Sequence, residues 1–436
     1  MSKILLKNGY VLITSDSQVE KLDIFIDNGE IKEIFKNGDL PDFILLDKDV
    51  IVYDLSNKLI TPGLINTHTH VAMSHFKSMA DDLSFKEWLY DSMLPREDLL
   101  KTEYIYNASF LSMLEMISNG ITCFADMFMF VDETAKAVVN SGMRAYLSRG
   151  LAFDTPEGWK RRIDENLASY EKYNGYDNRI YIGFGPHAPY TVDLEHLKEV
   201  GLLAKKLDSH IQIHLLEAAW EKSQYSLKDI ENTGLFANPT IAAHCVNLDE
   251  DDIKVLSVNR VNVSHNPCSN LKLGNGAAPI VDLLKHNINV TLGTDGSASN
   301  NSLDIMKEMY VAGITQKSKY SPESIKTVDL LRMVWDNAAF ALNEKIGRIE
   351  KDYKADLTVF DLNCPEFFPF DFNRLKSHLV YSASSKNVWA TMINGVWKYY
   401  DKKFVDVEVD KIYEKFQFYY EKLEDDFNRF DNGSDN

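Results

Sequence analysis

Eight short apolar runs, separated by stretches with the pattern of amphipathic helices, constrain the fold of the middle of this chain. Runs that are apolar almost throughout are typical of strands covered on both faces, as in parallel sheets. Eight strand–helix units over roughly 290 residues match a (β/α)8 TIM-like barrel, which commonly takes about 250 residues before insertions. The predicted strands are Leu59–Thr67, Ile121–Met127, Arg144–Arg149, Ile180–Pro186, Ile211–Leu216, Thr240–Ala243, Val261–Ser264 and Asn289–Thr294.

A doubly wound parallel sheet is the competing interpretation of this alternation. The distribution of polar side chains favours the barrel, because barrel active sites lie at the carboxyl ends of the strands. Polar residues at or just beyond the predicted strand ends are His68, His70, Arg149, His187, His214, His244, His265 and Asp295.

The segments on either side of this middle part have the pattern of β structure. Both contain short alternating strands around Asn-Gly dipeptides, which are typical of hairpin turns. We therefore predict an α/β protein in three parts. Residues 1–58 and 352–405 form a small β-sandwich domain built from both termini, residues 59–351 form the barrel, and residues 406–436 form a C-terminal helix and polar tail.

Charge and composition exclude several classes of partner. The net charge of −18 disfavours nucleic acids and anionic membranes, because both would be repelled. No uninterrupted run of about 18 apolar residues is present, so no membrane-spanning helix is expected. Lys3 and Lys7 interrupt the first apolar residues, which disfavours a signal peptide, and the four cysteines show no C-x-x-C pairing. These features predict a cytoplasmic protein with reduced thiols.

His68 and His70 are the first candidates for a metal site. Side chains at positions i and i+2 of a strand point the same way, so both imidazoles can reach one divalent metal. His214 and Asp295, at later strand ends, would complete a set with one position open for water, as in catalytic sites. Taken alone, His214 is equally well explained as a core histidine and Asp295 as a turn residue. The coincidence of four such residues at strand ends favours the metal site.

Two further residues suit hydrolysis beside such a metal. Glu217 follows His214 by three residues, so its carboxyl group can point back over the site as a proton shuttle. The alternative for Glu217 is a surface residue that begins a helix. His244 ends another strand and could orient the water and stabilise negative charge at the attacked carbon. Together these parts indicate hydrolysis at an electron-poor carbon.

Five sequence blocks carry a family resemblance. The chain resembles the amidohydrolase superfamily and, within it, most closely the 5′-methylthioadenosine/S-adenosylhomocysteine deaminases. The resemblance covers nearly the whole chain, to about residue 400. The blocks are Pro62–His70, His214–Glu217, Ala243–Val246, Ser264–Gly276 and Leu292–Asn301.

The resemblance implies a hydrolase that deaminates adenosine-type nucleosides by attack of a metal-activated water on the purine C6. The products are an inosine-type nucleoside and ammonia. One divalent metal per subunit is implied, with zinc the first choice and iron or manganese the alternatives. Glu217 matches the residue that protonates the ring, and His244 and Asp295 match those that orient or deprotonate the water. The positions that match metal ligands are His68, His70, His214 and Asp295.

Substrate contacts are implied in the same way. Glu97 matches the acidic residue that grips the ribose hydroxyls, and Trp88 forms an apolar wall. An arginine could pair with the carboxylate of a homocysteine tail. The alternative is that Trp88 and Glu97 are ordinary helix residues and that Arg162 lies on the solvated surface. The positions implied to contact substrate are Trp88, Glu97, Arg149, Arg162, His187 and Glu217.

Several points stay open from the sequence. Lys77 and Ser78 stand where relatives usually have Arg-Gly, which keeps the positive charge but loses the bidentate geometry of a guanidinium. The sequence does not choose among adenosine derivatives or metals, and it leaves homo-oligomerisation open. The alternative functions are a guanine, pterin or triazine hydrolase on the same scaffold, or a metal-free binding protein with this fold.

Overall fold

The computed structural model describes residues 3–431, so residues 432–436 of the predicted polar tail lie outside the described residues. The strands are β1 Lys3–Leu12, β2 Val19–Asp27, β3 Glu30–Lys36, β4 Val50–Asp54, β5 Lys58–Pro62, β6 Leu64–Thr69, β7 Ile121–Phe128, β8 Arg144–Leu151, β9 Ile180–Pro186, β10 Ile211–Leu215, β11 Thr240–His244, β12 Asn262–His265, β13 Val290–Leu292, β14 Leu357–Asp361, β15 Val388–Ile393, β16 Val396–Tyr400 and β17 Lys403–Phe404.

Helices alternate with the strands in the middle of the chain. The α-helices are α1 Asp42–Leu45, α2 Leu94–Glu97, α3 Thr102–Ser118, α4 Val131–Ser141, α5 Pro156–Tyr173, α6 Leu194–Leu207, α7 Leu227–Asn232, α8 Glu250–Val258, α9 Pro267–Lys272, α10 Ile280–Lys285, α11 Ser297–Asn300, α12 Ile305–Lys319, α13 Thr327–Val334, α14 Asp336–Leu342, α15 Leu375–Tyr381 and α16 Val409–Asp431. Short 3-10 helices cover Val71–Phe76, Ala219–Ser223, Leu235–Ala237, Pro365–Phe367, Phe372–Arg374 and Ser385–Asn387, and a π-helix covers Glu87–Met93. Within residues 3–431, no helix combines the length and apolar character that crossing a bilayer requires.

The chain divides into two compact units. The first comprises Met1–Asn66, Met116–Cys123 and Asp304–Val407, and the second comprises Thr67–Glu115, Phe124–Leu303 and Glu408–Asn436. The domain boundaries given above from sequence stay a prediction.

The first unit contains a nine-stranded sheet built from both ends of the chain. Its order is β17-β16-β15-β14-β5-β1-β2-β3, with β4 beside β1. Antiparallel β5 and β14 join the N-terminal and C-terminal parts, with Leu59 opposite Phe360. One face of this sheet buries an apolar cluster that includes Ile24, Val359 and Met392. The predicted β domain from both termini is confirmed.

The second sheet is a nearly closed barrel of eight strands in the order β6 to β13. Adjacent strands from β8 to β13 pair in parallel. At the carboxyl end of β6, the His68 carbonyl oxygen accepts hydrogen bonds from the backbone N–H groups of Thr294 and Asp295, at 3.1 and 3.0 Å. These bonds bring the chain after β13 beside the end of β6, so the barrel prediction is confirmed.

The predicted strand Leu59–Thr67 is two strands, β5 and β6, which belong to different sheets. The chain changes sheets at Gly63, whose N–H donates to the Asp356 carbonyl oxygen at 2.9 Å. A Cβ atom at Gly63 would lie 2.1 Å from Thr122 Oγ1, so the crossing requires glycine. Because both strands are apolar, the sequence pattern did not show the division.

Candidate metal centre and adjoining cavity

Several imidazoles meet at the carboxyl ends of neighbouring barrel strands. The ring of His68 lies 4.9 Å from those of His70 and His214, centroid to centroid, and 5.5 Å from that of His244. The candidate ligand nitrogens of His68, His70 and His214 all lie within 4.8 Å of one another. Parallel strands end at one edge, so residues distant in sequence converge here.

A second candidate group shares one member with the first. It comprises His68, His244 and Asp295, again with ligand atoms within 4.8 Å of one another. Nε2 of His70 lies 3.2 Å from Oδ1 of Asp295, and Nε2 of His68 lies 3.7 Å from the same oxygen. Buried imidazoles around one carboxylate are the donors that Zn²⁺, Fe²⁺ and Mn²⁺ accept, so the donor set fits a divalent metal.

Hydrogen bonds orient two of the imidazoles. The His70 Nδ1 atom lies 2.5 Å from the Met127 carbonyl oxygen, which can only accept, so the proton belongs on Nδ1. The His244 Nδ1 atom likewise lies 2.8 Å from the Asn270 side-chain oxygen. Both rings therefore turn Nε2 towards the cluster, which is the orientation that a metal-ligating histidine needs.

Asp295 is held as a buried carboxylate. Its Oδ2 accepts hydrogen bonds from the hydroxyls of Ser269 and Ser299, at 2.6 and 2.8 Å, and its Oδ1 accepts one from the Gly296 N–H at 2.8 Å. Burial alone would raise the pKa of Asp295, but the hydrogen bond with His70 and the neighbouring imidazoles hold it well below its usual value. Asp295 is therefore ionised at neutral pH, with a strained left-handed backbone at φ 60°.

Glu217, unlike Asp295, favours its protonated form. The chain turns at Leu216, in a left-handed conformation with φ 47°, and this turn directs Glu217 into the site. Burial and then the charge of Asp295 raise the pKa of Glu217 well above its usual value. Asn275 donates to its Oε1 at 3.0 Å, and its Oε2 lies 3.5 Å from Nε2 of His244. A neutral carboxyl group beside a carboxylate suits proton donation.

A cavity of about 600 Å³ opens over this cluster. It is of the size that small-molecule sites commonly have. His68 lies outside its lining, whereas the other sequence-predicted site residues line it: His70, Trp88, Glu97, Arg149, Arg162, His187, His214, Glu217, His244 and Asp295.

One side of the cavity is formed by the segment before α3. Trp88 is buried there, with its ring 6.2 Å from that of Phe85. Glu97 ends the short helix α2, and burial raises its pKa to about 7. An acceptor and an apolar ring are therefore present on the same wall.

Both arginines of the cavity already have a carboxylate partner. Arg149 Nε lies 3.0 Å from Oε2 of Glu165, and Arg162 Nη1 lies 2.8 Å from Oδ1 of Asp154. A guanidinium carries five N–H donors, so each arginine retains donors for a ligand.

His187 lies beside the imidazole cluster and lines the same cavity. Its ring lies 4.9 Å from that of His214, and its Nδ1 lies 2.9 Å from the Thr191 hydroxyl. Burial, followed by the nearby imidazoles, lowers the pKa of His187 to about 4, so the ring is neutral at pH 7.

Several supporting residues were not singled out from the sequence. They lie within the blocks Ser264–Gly276 and Leu292–Asn301, which already carried the resemblance, but no spacing rule showed which side chains turn inward. The contacts above identify Ser269, Asn270, Asn275 and Ser299.

The Lys77-Ser78 replacement lies outside the cavity lining. Lys77 pairs with Glu115 at 2.7 Å. Ser78 has a left-handed backbone with φ 62°, a conformation that glycine adopts freely and that costs other residues about 1 kcal/mol. Asn301 donates to the Ser78 hydroxyl at 3.3 Å.

An eight-stranded barrel with imidazoles and a carboxylate at its strand ends defines a class of metal-dependent hydrolases. The chain belongs to the amidohydrolase family, whose sequence model matches residues 59–398. Family membership and the donor set together support a divalent metal at this cluster. The predicted family resemblance is confirmed.

Individual relatives are similar over almost the full length. The 5-methylthioadenosine/S-adenosylhomocysteine deaminase of Thermotoga maritima is 42% identical over 406 residues, 93% of this chain and 96% of that protein. The 5′-deoxyadenosine deaminase of Methanosarcina mazei is 38% identical over 441 residues, 97% of this chain and 99% of that protein. The crystal structure of a zinc-bound adenosine deaminase from Xanthomonas campestris has a TM-score of 0.90 at 28% identity, covering 97% of this chain and 98% of its own.

Proposed function

We propose that this chain is a metal-dependent aminohydrolase that removes the 6-amino group of adenosine-type nucleosides. The products are ammonia and the inosine-type nucleoside. The observation that carries the proposal is the pairing of a buried, neutral Glu217 with an ionised Asp295 at the base of a nucleoside-sized cavity. Two of the relatives described above are named for adenosine derivatives with a modified 5′ position, so 5′-methylthioadenosine, S-adenosylhomocysteine and 5′-deoxyadenosine are the proposed substrates.

The proposed metal ligands provide one mononuclear site. A divalent metal, for which we propose zinc, supplies the Lewis acidity that makes water nucleophilic near neutral pH. The residues that would hold it are His68, His70, His214 and Asp295.

Glu217 moves protons on the leaving-group side. Its neutral carboxyl donates to a purine ring nitrogen, which makes C6 electrophilic. The resulting Glu217 carboxylate takes up the proton of the C6 hydroxyl group formed by the attack and delivers it to the departing amine, so that ammonia leaves and the C6 carbonyl forms. The proton that Asp295 accepts from the water then restores the neutral Glu217. Asn275 holds the carboxyl by donating to Oε1 at 3.0 Å, so the second oxygen remains available to the ring.

His244 and Asp295 act on the attacking water. The ionised Asp295 accepts a proton from it, while the hydroxyls of Ser269 and Ser299 hold Oδ2 and keep the carboxylate in place. His244, whose Nδ1–H donates to the Asn270 side-chain oxygen, presents Nε2 as an acceptor that orients the water.

The remaining cavity residues bind the nucleoside. Glu97 accepts hydrogen bonds from the ribose hydroxyls, Trp88 covers an apolar part of the substrate, and His187 donates or accepts a hydrogen bond beside the purine. Arg149 and Arg162 offer their remaining N–H donors to a charged 5′ substituent.

The test is an ammonia-release panel on protein whose metal content has been measured. The compounds are 5′-methylthioadenosine, S-adenosylhomocysteine, adenosine, 5′-deoxyadenosine, adenine, guanine and cytosine. We expect turnover of the nucleosides, its loss on chelation and its return on adding Zn²⁺. Faster turnover of free guanine would instead identify a base deaminase, and a metal-free protein without ammonia release would contradict the proposal.

Glu97 is expected to determine the preference for nucleosides. Glu97→Ala removes the acceptor for two hydroxyls, so kcat/KM for 5′-methylthioadenosine should fall about 10²-fold or more. Activity on free adenine should not change, so the variant should no longer prefer the nucleoside over the free base. Steady-state kinetics on both compounds measures this, with exposed Glu87→Ala as the matched control. An unchanged preference would assign the ribose to other residues.

The pH profile of kcat/KM for nucleosides should show the titration of Glu97. Burial raises the pKa of Glu97 to about 7, and the ionised form is the one that accepts two hydrogen bonds. As the pH falls below this pKa, Glu97 becomes neutral, so kcat/KM for nucleosides should decline about tenfold per pH unit. In Glu97→Gln this acidic limb of the pH profile should be absent, and any other limb should remain. Persistence of the limb in that variant would assign it to another group.

Arg162 is expected to matter only for substrates with a charged tail. Arg162→Ala should lower kcat/KM for S-adenosylhomocysteine about tenfold, because a charge-assisted hydrogen bond to its carboxylate is lost. The value for 5′-methylthioadenosine should change less than about twofold. Exposed Arg161→Ala is the matched control. Equal losses for both substrates would show a structural role instead.

A cytoplasmic location and a homo-oligomeric state stay predictions. Size-exclusion chromatography with light scattering would determine the oligomeric state.

A further inference from the structure

The C-terminal helix α16 packs against the part of the second unit that carries Glu97 and Trp88. It spans Val409–Asp431 and lies beyond residue 398, where the match to the family model ends. Leu423 and Phe427 on this helix are buried in one apolar cluster with Trp88. Phe416 and Tyr419 pack on the same cluster.

Phe427 contacts Arg96, the residue just before Glu97. The guanidinium carbon of Arg96 lies 5.6 Å from the Phe427 ring centroid, and the rings of Phe427 and Phe76 lie 6.0 Å apart. Arg96 also donates to the Ser92 carbonyl oxygen at 3.2 Å. The last turn before Glu97 is therefore held between its own backbone and α16.

Asp426 contacts the residues just after Glu97. Its Oδ2 accepts hydrogen bonds from the Lys101 ammonium at 2.7 Å and from the Tyr104 hydroxyl at 2.8 Å. Leu100 links these residues to the site, because its N–H donates to the Glu97 carbonyl oxygen at 3.0 Å. Glu97 is thus fixed on both sides by adjacent residues of one helix.

The start of α16 adds a third contact, near a proposed metal ligand. The ring of Phe416 stacks on that of His75 at 4.6 Å with an interplanar angle of 7°. His75 lies in the short helix Val71–Phe76, which begins directly after His70. A shift of α16 would therefore move both the segment that carries Glu97 and the short helix that follows His70.

We propose that α16 is a clamp that positions Glu97 for substrate, with Asp426 and Phe427 as its positioning residues. The kinetic part of this inference rests on the proposed function, because Glu97 is taken to bind the ribose. Small displacements of a positioning group reduce binding strongly without altering the reacting groups. Loosening the clamp should therefore raise KM and leave kcat nearly unchanged.

Asp426→Asn in the full-length, metal-loaded protein is the main test, because it preserves side-chain volume. We expect KM for 5′-methylthioadenosine to rise about fivefold while kcat changes less than twofold. Tyr104→Phe removes the hydroxyl that donates to Asp426, and should act in the same direction and non-additively with Asp426→Asn. The matched control is Asp425→Asn, at the exposed position directly before Asp426.

Amide hydrogen exchange provides a readout that does not depend on activity. Residues 87–104 should exchange faster in Asp426→Asn than in Asp425→Asn, while β10 exchanges at the same rate in both. Phe427→Ala, with exposed Phe430→Ala as control, should give a larger change in the same residues. Equal exchange of residues 87–104 in the paired variants would overturn the clamp, and so would faster exchange throughout the barrel.

The two proposals fail in different ways. If the unmodified protein turns over no nucleoside, the proposed function is wrong, but faster exchange confined to residues 87–104 still supports the clamp. If the protein is an active deaminase and Asp426→Asn shifts exchange without raising KM, α16 does not position Glu97 for substrate.

Discussion

Asp295→Asn is expected to lower kcat for 5′-methylthioadenosine by about 10³-fold or more. Asparagine keeps the shape and can still accept from the Ser269 and Ser299 hydroxyls, but it removes the negative charge among the imidazoles. It also cannot accept the proton of the attacking water. Ammonia release and bound metal, measured on the same sample, separate these two effects.

The two measurements distinguish the roles of Asp295. Loss of kcat with metal retained indicates that the carboxylate mainly accepts a proton, whereas loss of both indicates that it mainly holds the metal. Exposed Asp251→Asn, outside the cavity lining, is the matched control and should retain activity. A fully active Asp295→Asn protein would contradict the proposed site.

Glu217→Gln should lower kcat by about 10² to 10⁴-fold, the range commonly lost with a general acid. The amide retains an oxygen that can accept from Asn275, so the local structure should persist. It cannot protonate the purine ring. Because Glu217 is not among the proposed ligands, bound metal should remain at its original stoichiometry.

The result for Glu217 is interpreted against exposed Glu195→Gln, which should behave as the unmodified protein. A substrate with a better leaving group than ammonia should recover part of the lost rate in Glu217→Gln, since it needs less protonation. A loss of metal comparable to the loss of rate would show that Glu217 supports the cluster and is not the proton donor.

The order of the barrel strands and the edge that carries the site were predictable. Apolar runs of strand length alternate with helical patterns, and parallel strands all end at one edge, so His68, His214 and Asp295 had to be considered together. The H-x-H spacing also placed both imidazoles on one side of β6. The local sequence pattern was sufficient to predict these features, because they follow from backbone periodicity.

The division between β5 and β6 was not predictable. Both halves of the apolar run are buried, so composition does not distinguish them. The crossing depends on the Asp356 carbonyl oxygen and the Thr122 side chain, which arrive from distant parts of the chain. The local sequence pattern does not show which distant residues a strand will contact.

The role of the C-terminal helix α16 could not be predicted from the sequence either. Its aromatic stripe predicts that one face is packed but does not say against what. Only the fold brings Asp426 to Tyr104 and Phe427 to Arg96, on either side of Glu97.

The amino-acid sequence alone determined the barrel and the residue types available for metal and proton chemistry, because these depend on periodicity and on spacing along the chain. The family followed from the resemblance of its sequence blocks. Only the tertiary structure decided their protonation. Glu217 and Asp295 are both buried carboxyl groups, yet the pKa of Glu217 is raised and that of Asp295 is lowered. The difference arises from neighbours: imidazoles surround Asp295, whereas the charge of Asp295 itself acts on Glu217. Charges distant in sequence meet only in the folded chain, so the division into acid and base is a property of the fold.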